Sequence, residues 1–137
     1  MYEEVIKQIQ TVADETNFLL GLERSDDGMY IDCQLNQGAI SIDVAVPKHN
    51  GQYYAYSIES PGLPREVYSD EIAKDFSESR RSEEIVQTLN GLLSRTIMFH
   101  KKPTLFSRTS GYIEIPLDGD ITKIPVKNNY FNLPVKD

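Results

Sequence analysis

The chain has 137 residues, 39% of them hydrophobic and 26% charged, the size and balance of one globular domain with its own core. That composition excludes wholesale disorder. The net charge of −7 argues against phosphate-backbone binding, which Lys and Arg drive by displacing counterions.

The charge is unevenly spread. Residues 1–70 hold 12 acidic and 4 basic side chains, net −8, and residues 71–137 hold 9 and 10, net +1. Such an asymmetry fits an acidic surface that steers a basic partner, and equally one that simply keeps a small protein in solution. The single Cys33 cannot close an internal disulfide, and one Cys with two His is a poor metal kit. The start, Met-Tyr-Glu-Glu, is acidic where a secretory leader is basic. No apolar run approaches the ~18 residues of a membrane span. The expectation is a cytoplasmic protein with no membrane partner and no nucleic-acid partner.

In chain order, residues 2–16 read as an amphipathic helix, with Val5, Ile6, Ile9, Val12 and Ala13 at helical spacing. Glu3 and Glu4 favour the positive end of its dipole, and Asn17 is its expected stop. The period then changes to two. Met29, Ile31, Cys33 and Leu35 alternate with Tyr30, Asp32 and Gln34; Ile40, Ile42, Val44 and Val46 alternate with Ser41, Asp43 and Ala45. This is the signature of a sheet with one face on a core and one toward water. Asp27-Gly28, Gln37-Gly38 and Asn50-Gly51 supply the turns. With residues 18–24 and 52–60 these runs make a four-strand meander.

Ser60-Pro61-Gly62-Leu63-Pro64 breaks the sheet and opens a long connection over 60–81, with a short helix expected over 70–79. Ser82 is the expected N-cap of a second helix. Its apolar stripe runs through Ile85, Val86, Leu89, Leu92, Leu93, Thr96 and Ile97. Gly91 marks a close approach to the sheet, Arg95, Lys101 and Lys102 complement the C-terminal end, and Pro103 ends the helix. Residues 104–108, 110–117 and 121–126 read as strands, and Pro116 and Pro125 place them at an edge or a bulge. Residues 128–137 read as a loosely held tail after a single domain over 1–127. The expected fold is α+β: one antiparallel sheet of about six strands, with two amphipathic helices on one face.

The chemistry-bearing residues give little. Neither a G-x-G-x-x-G nor a P-loop motif occurs, and Gly28, Gly38, Gly51, Gly111 and Gly119 sit in expected turns. Cys33 shares a strand face with Met29, Ile31 and Leu35, where it acts as an apolar filler. His49, in a hairpin, and His100 lack metal-site spacing. Asp26-Asp27-Gly28 and Asp118-Gly119-Asp120 resemble calcium loops only locally. Twelve positions from Asp118 stands Asn129 in place of the closing Glu, so turn chemistry explains them better. Asp32 and Asp43 form a paired-carboxylate hydrolase site only if neighbouring strands bring them together. No catalytic, cofactor or metal residues are assigned, and no cofactor is expected.

The most suggestive pattern is aromatic. Tyr53, Tyr54 and Tyr56 crowd one strand; with Tyr54, Tyr56 and Ile58 inward, Tyr53 joins Tyr30, Asp32, Gln34, Ser41 and Asp43 on the open face. Tyr offers large apolar area with a polar tip, so Tyr30, Asp32, Gln34, Asp43 and Tyr53 are the expected partner-binding residues. The leading expectation is a non-enzymatic interaction domain, inhibitor-, immunity- or chaperone-like, binding a basic protein. The alternative is a small-molecule-binding or hydrolytic domain with a pocket between the sheet and the 60–81 connection. Pairing of sheet edges between copies leaves a homodimer open. The order helix, strands, helix, strands resembles that of type III secretion chaperones, which are small, acidic and dimeric. This chain departs from them in ending on strands and a tail, and element order alone carries no function.

Overall fold

The computed structural model describes residues 2–48, 56–65, 67–68 and 78–136. Val5, Ile9, Val12 and Ala13 are buried along one face of helix α1, Tyr2–Thr16. Asn17 ends it at φ 61°, a left-handed conformation that Asn tolerates better than most residues. Phe18 N then donates to Ala13 O at 3.0 Å, and the chain enters a meander of four antiparallel strands. These are β1 (Leu19–Arg24), β2 (Tyr30–Gln37), β3 (Ile40–Pro47) and β4 (Ser57–Glu59), in that spatial order. Residues 49–55, with His49, Tyr53 and Tyr54, lie outside the described residues.

The register shows why alternation works here. Leu35 stands opposite Leu20 and Ile42, and Cys33 opposite Leu22 and Val44. Partners across an antiparallel ladder share a face, so Cys33, Leu35, Ile42, Val44 and Ile58 form one continuous buried surface. α1 packs on this sheet through β1 and β3.

Helix α2, Glu78–Leu93, corrects two expectations at its ends. Ser82 lies inside the helix and does not cap it; of the short helix expected over 70–79, residues 70–77 lie outside the described residues. At the other end the helix stops well before Pro103. Arg95 takes φ 60°, and both Thr96 N and Ile97 N donate to Gly91 O, at 3.0 and 3.2 Å. Gly91 marks a close approach, but by Ile97 instead of the sheet: a Cβ there would lie 2.5 Å from Ile97 Cδ1. Reversal of the chain at Arg95 frees Phe99–Lys101 to become strand β5.

The remaining strands are β6 (Gly111–Leu117), β7 (Asp120–Val126) and β8 (Val135–Lys136). They form a second, mixed sheet in the order β7-β6-β5-β8, with β8 parallel to β5. One sheet of about six strands is therefore replaced by two sheets of four. The helices also divide their contacts: α1 packs on β1, β3 and α2, whereas α2 packs on α1 and β6. Residues 104–108, expected as a strand, form a turn closed by Thr104 N donating to Ser107 O at 2.7 Å.

The prolines sit where a missing N–H does least harm. β7, with Pro125, is an edge strand, and on β6 the partners of β5 are Gly111 and Tyr112, at the opposite end from Pro116. Where the sequence reading expects a loose tail over 128–137, Phe131 and Leu133 are 4% exposed. Tyr130 Oη accepts from Ser41 N at 2.9 Å and donates to Ala39 O at 3.0 Å. Three apolar side chains in four positions are too short a pattern for periodicity to register.

Candidate functional site

On the outward side of the first sheet, the same register that hides the apolar face lines up polar groups. Glu23 of β1 stands opposite Asp32 of β2, and Asp43 of β3 stands opposite Glu59 of β4. Gln34 is opposite Asp43, which puts Asp32 and Asp43 on the diagonal. Each of the four strands thus contributes one carboxylate to one face. Gln34 Nε2 donates to Glu23 Oε2 at 3.2 Å and to Asp32 Oδ2 at 3.3 Å, bridging the first pair. Among the described residues no such bridge joins the second pair. Asp43 is held above the usual carboxylate range by partial burial, then by the charges of Asp32 and Glu59.

Beside this row, between the sheet and the connection that follows β4, lies a depression of about 430 Å³ bordered by Ser41, Asp43, Glu59, Leu63 and Arg65. The Ser60 hydroxyl donates to Ser41 O at 2.9 Å, pinning the connection to β3. On the far side of Pro61–Arg65 a cavity of about 300 Å³ separates it from Pro125–Asn128.

Of the residues singled out from the sequence, Tyr30, Asp32, Gln34 and Asp43 share the outward face; Tyr53 and His49 lie outside the described residues. Cys33 is fully buried, and burial followed by the Asp32 charge pushes its thiol up to about 12. That makes it a core filler. His100 stacks on Tyr112, ring centres 4.5 Å apart, with Nε2 3.4 Å from Glu114 Oε1. Asp27 Oδ1 accepts from Ser25 Oγ at 2.6 Å and from Met29 N at 2.9 Å, which lowers its pKa; this is turn chemistry. Asp118 and Gly119 take φ 58° and 88°, and Asp118 pairs with Arg81 at 3.4 Å. Among the described residues, no group of three or more His, Cys, Asp or Glu side chains is arranged to hold a metal ion.

Sequence reasoning missed two things. Glu23 and Glu59 join the acidic row only once the strand register is known; the signal available was Glu23 alternating with Leu20 and Leu22. The second is a buried polar cluster. Tyr68 Oη donates to Pro116 O and is 2.7 Å from Thr88 Oγ1, so the Thr88 hydroxyl donates to it. Glu84 Oε2 accepts from Gly119 N at 2.7 Å. The Arg81 guanidinium lies 5.1 Å from the Tyr68 ring centre. Together these tie the connection, α2 and the β6–β7 turn into one unit, and they face the core instead of a cleft. Set against protein-family models, curated proteins and solved structures, the chain matches none.

Proposed function

We propose that the chain is a non-enzymatic protein-interaction domain, inhibitor-, immunity- or chaperone-like, that binds a basic protein through the outward face of β1–β4. The observation that supports this is the row Glu23, Asp32, Asp43 and Glu59, with like charges directly opposite each other in two strand pairs. Like charges across a ladder cost stability, so folding gives no reason for the row. A cationic surface converts the same repulsion into attraction and into faster, oriented encounter. Tyr30 and Gln34 on the same face add apolar area and hydrogen-bonding capacity beside the charges. The cytoplasm is the location that accompanies this reading.

The test is affinity capture of the wild-type chain and of the Asp32→Asn/Asp43→Asn variant. Retention of one stoichiometric basic protein by the wild type, lost in the variant and in raised salt, supports the reading. Equal capture by both removes it. A second reading, a small-molecule-binding or hydrolytic domain, draws on the depression between β3, β4 and Arg65. A metabolite or metal that binds only the native state would raise the melting temperature there, and a blank thermal-shift panel counts against it. Homodimer formation through a sheet edge is the remaining part of the proposal, and light scattering decides it.

A further inference from the structure

From Ile85 to Ile113 the chain carries no acidic residue, although it has 21 in all; within that stretch stand Arg95, Lys101, Lys102 and Arg108. The loop after β5 lies inside this cationic stretch. Its base is closed by Lys102 N donating to Ser110 O at 3.0 Å. Its tip is a tight turn, with Thr104 N donating to Ser107 O at 2.7 Å and Ser107 N to Thr104 Oγ1 at 3.0 Å. Thr109 Oγ1 donates to Lys127 O at 2.9 Å, tying the loop to the end of β7. The backbone is therefore held by its own hydrogen bonds, and it presents Leu105 and Phe106 at 98% and 99% exposure. Neither side chain contributes to the core. Lys101 and Lys102 enter the loop, Arg108 leaves it, Lys127 is tied to it through its carbonyl, and all four are exposed.

We propose that this Leu105–Phe106 tip, with the Lys and Arg side chains behind it, is a contact for an anionic lipid surface. Two apolar side chains at the end of a convex loop gain by leaving water for the headgroup–acyl boundary. The long stems of Lys101, Lys102 and Arg108 let their charges stay with lipid phosphates while the tip dips below them. A surface charged over its whole extent, and able to yield around a convex tip, suits this geometry. A folded protein partner would need a pocket matched to both side chains.

The absence of a long apolar run in the sequence speaks only of spanning. Among the described residues no helix is long and apolar enough to cross a membrane, and a surface contact needs none. Because the whole chain is net −7, attachment is weak, salt-sensitive and confined to the orientation that puts this loop down. The proposal shares no residue with the acidic sheet face and stands apart from the protein-binding reading.

The chain has no Trp, so Phe106→Trp places a single reporter at a fully exposed position. Mixed phosphatidylserine/phosphatidylcholine vesicles should blue-shift its emission and protect it from aqueous quenchers, whereas pure phosphatidylcholine vesicles should leave it unchanged. Partition should weaken about fivefold for each cation removed by Lys101→Gln, Lys102→Gln or Arg108→Gln. Flotation of the unmodified chain with the same vesicles, lost in Leu105→Ser/Phe106→Ser, gives the result without the reporter. Emission and flotation unmoved by anionic vesicles overturn the proposal. So does a shift that grows with protein concentration in the absence of lipid, or one produced by polyglutamate and not by vesicles; these would assign the tip to a second copy or to an acidic protein.

Discussion

Replacing Asp43 by Asn should make the protein more stable at neutral pH while weakening its hold on a cationic partner. Asp43 faces Glu59 directly and Asp32 diagonally, and both charges, after partial burial, raise its proton affinity. Like-charge pairs across a ladder cost about 0.2–1 kcal/mol. Asp43 is exposed, so solvent screening holds the value toward the lower end. Asn keeps the shape and removes the charge, for a gain of about 0.5 kcal/mol, or roughly 1–3 °C in melting temperature for a chain of this size.

The pH dependence fixes the cause. A carboxyl whose pKa is raised on folding above its ordinary 3.8 binds its proton more tightly in the native state. Stability is thus full below that ordinary value and falls as pH climbs to the raised native value. The advantage of Asn should therefore be present at neutral pH and vanish once the carboxyls are protonated. Urea unfolding followed by circular dichroism, repeated in acid, measures both. Glu59→Gln completes a double-mutant cycle, and the two gains should sum to less than expected for independent sites. A loss of stability at neutral pH, or a gain of equal size in acid, would refute the assignment of Asp43 to a repulsive row.

Four further outcomes follow from contacts elsewhere. Tyr68→Phe leaves Pro116 O and Thr88 Oγ1 without the Tyr68 hydroxyl, and should cost about 1–3 kcal/mol in denaturant unfolding. Gly91→Ala, which in an ordinary helix gains about 1 kcal/mol, should destabilise here, because the new Cβ meets Ile97 Cγ1 at 2.6 Å; a raised unfolding midpoint would contradict the contact. Phe131→Ala, at a residue 4% exposed, should cost about 3 kcal/mol, whereas a loose tail would leave the midpoint unchanged. Cys33, its thiol pushed up to about 12, should resist a thiol reagent in the native state and react at the rate of unfolding; fast native labelling would place it at the surface.

How much could be read from the residues depended on whether the deciding interaction was local. α1 and the strands around 30–37 and 40–47 follow from periodicity, because each buries a single face and alternation records that directly. The end of α2 was hidden: its apolar stripe continues through Thr96 and Ile97, so spacing alone cannot show the chain reversing at Arg95. The division into two sheets depended on which strands pair, and β5, three residues long, carries no pattern of its own. Half of the acidic row was legible, because Asp32 and Asp43 alternate inside clear strands. Glu23 and Glu59 needed the register, a non-local quantity. The exposed Leu105–Phe106 turn reads in sequence as part of a strand, since apolar residues are expected inside.

The uneven charge of the sequence becomes a division of the molecule because of topology. β1 to β4 are consecutive in the chain and form one sheet; β5 to β8 are consecutive and form the other. Among the described residues no strand from the acidic first half enters the second sheet, so the strand charges of the two halves stay in separate sheets. A fold that interleaved strands from the two halves could have set some of these carboxylates opposite Lys101, Lys123 or Lys136. Glu114 has one: Lys123 stands opposite it between β6 and β7. In the first sheet the residues opposite Asp32 and Asp43 are Glu23 and Ala45, and Gln34 and Glu59. Among the described residues the connectivity therefore leaves Glu23, Asp32, Asp43 and Glu59 without a cation directly across the ladder. The attraction absent from within the sheet is available to a cationic surface brought from outside.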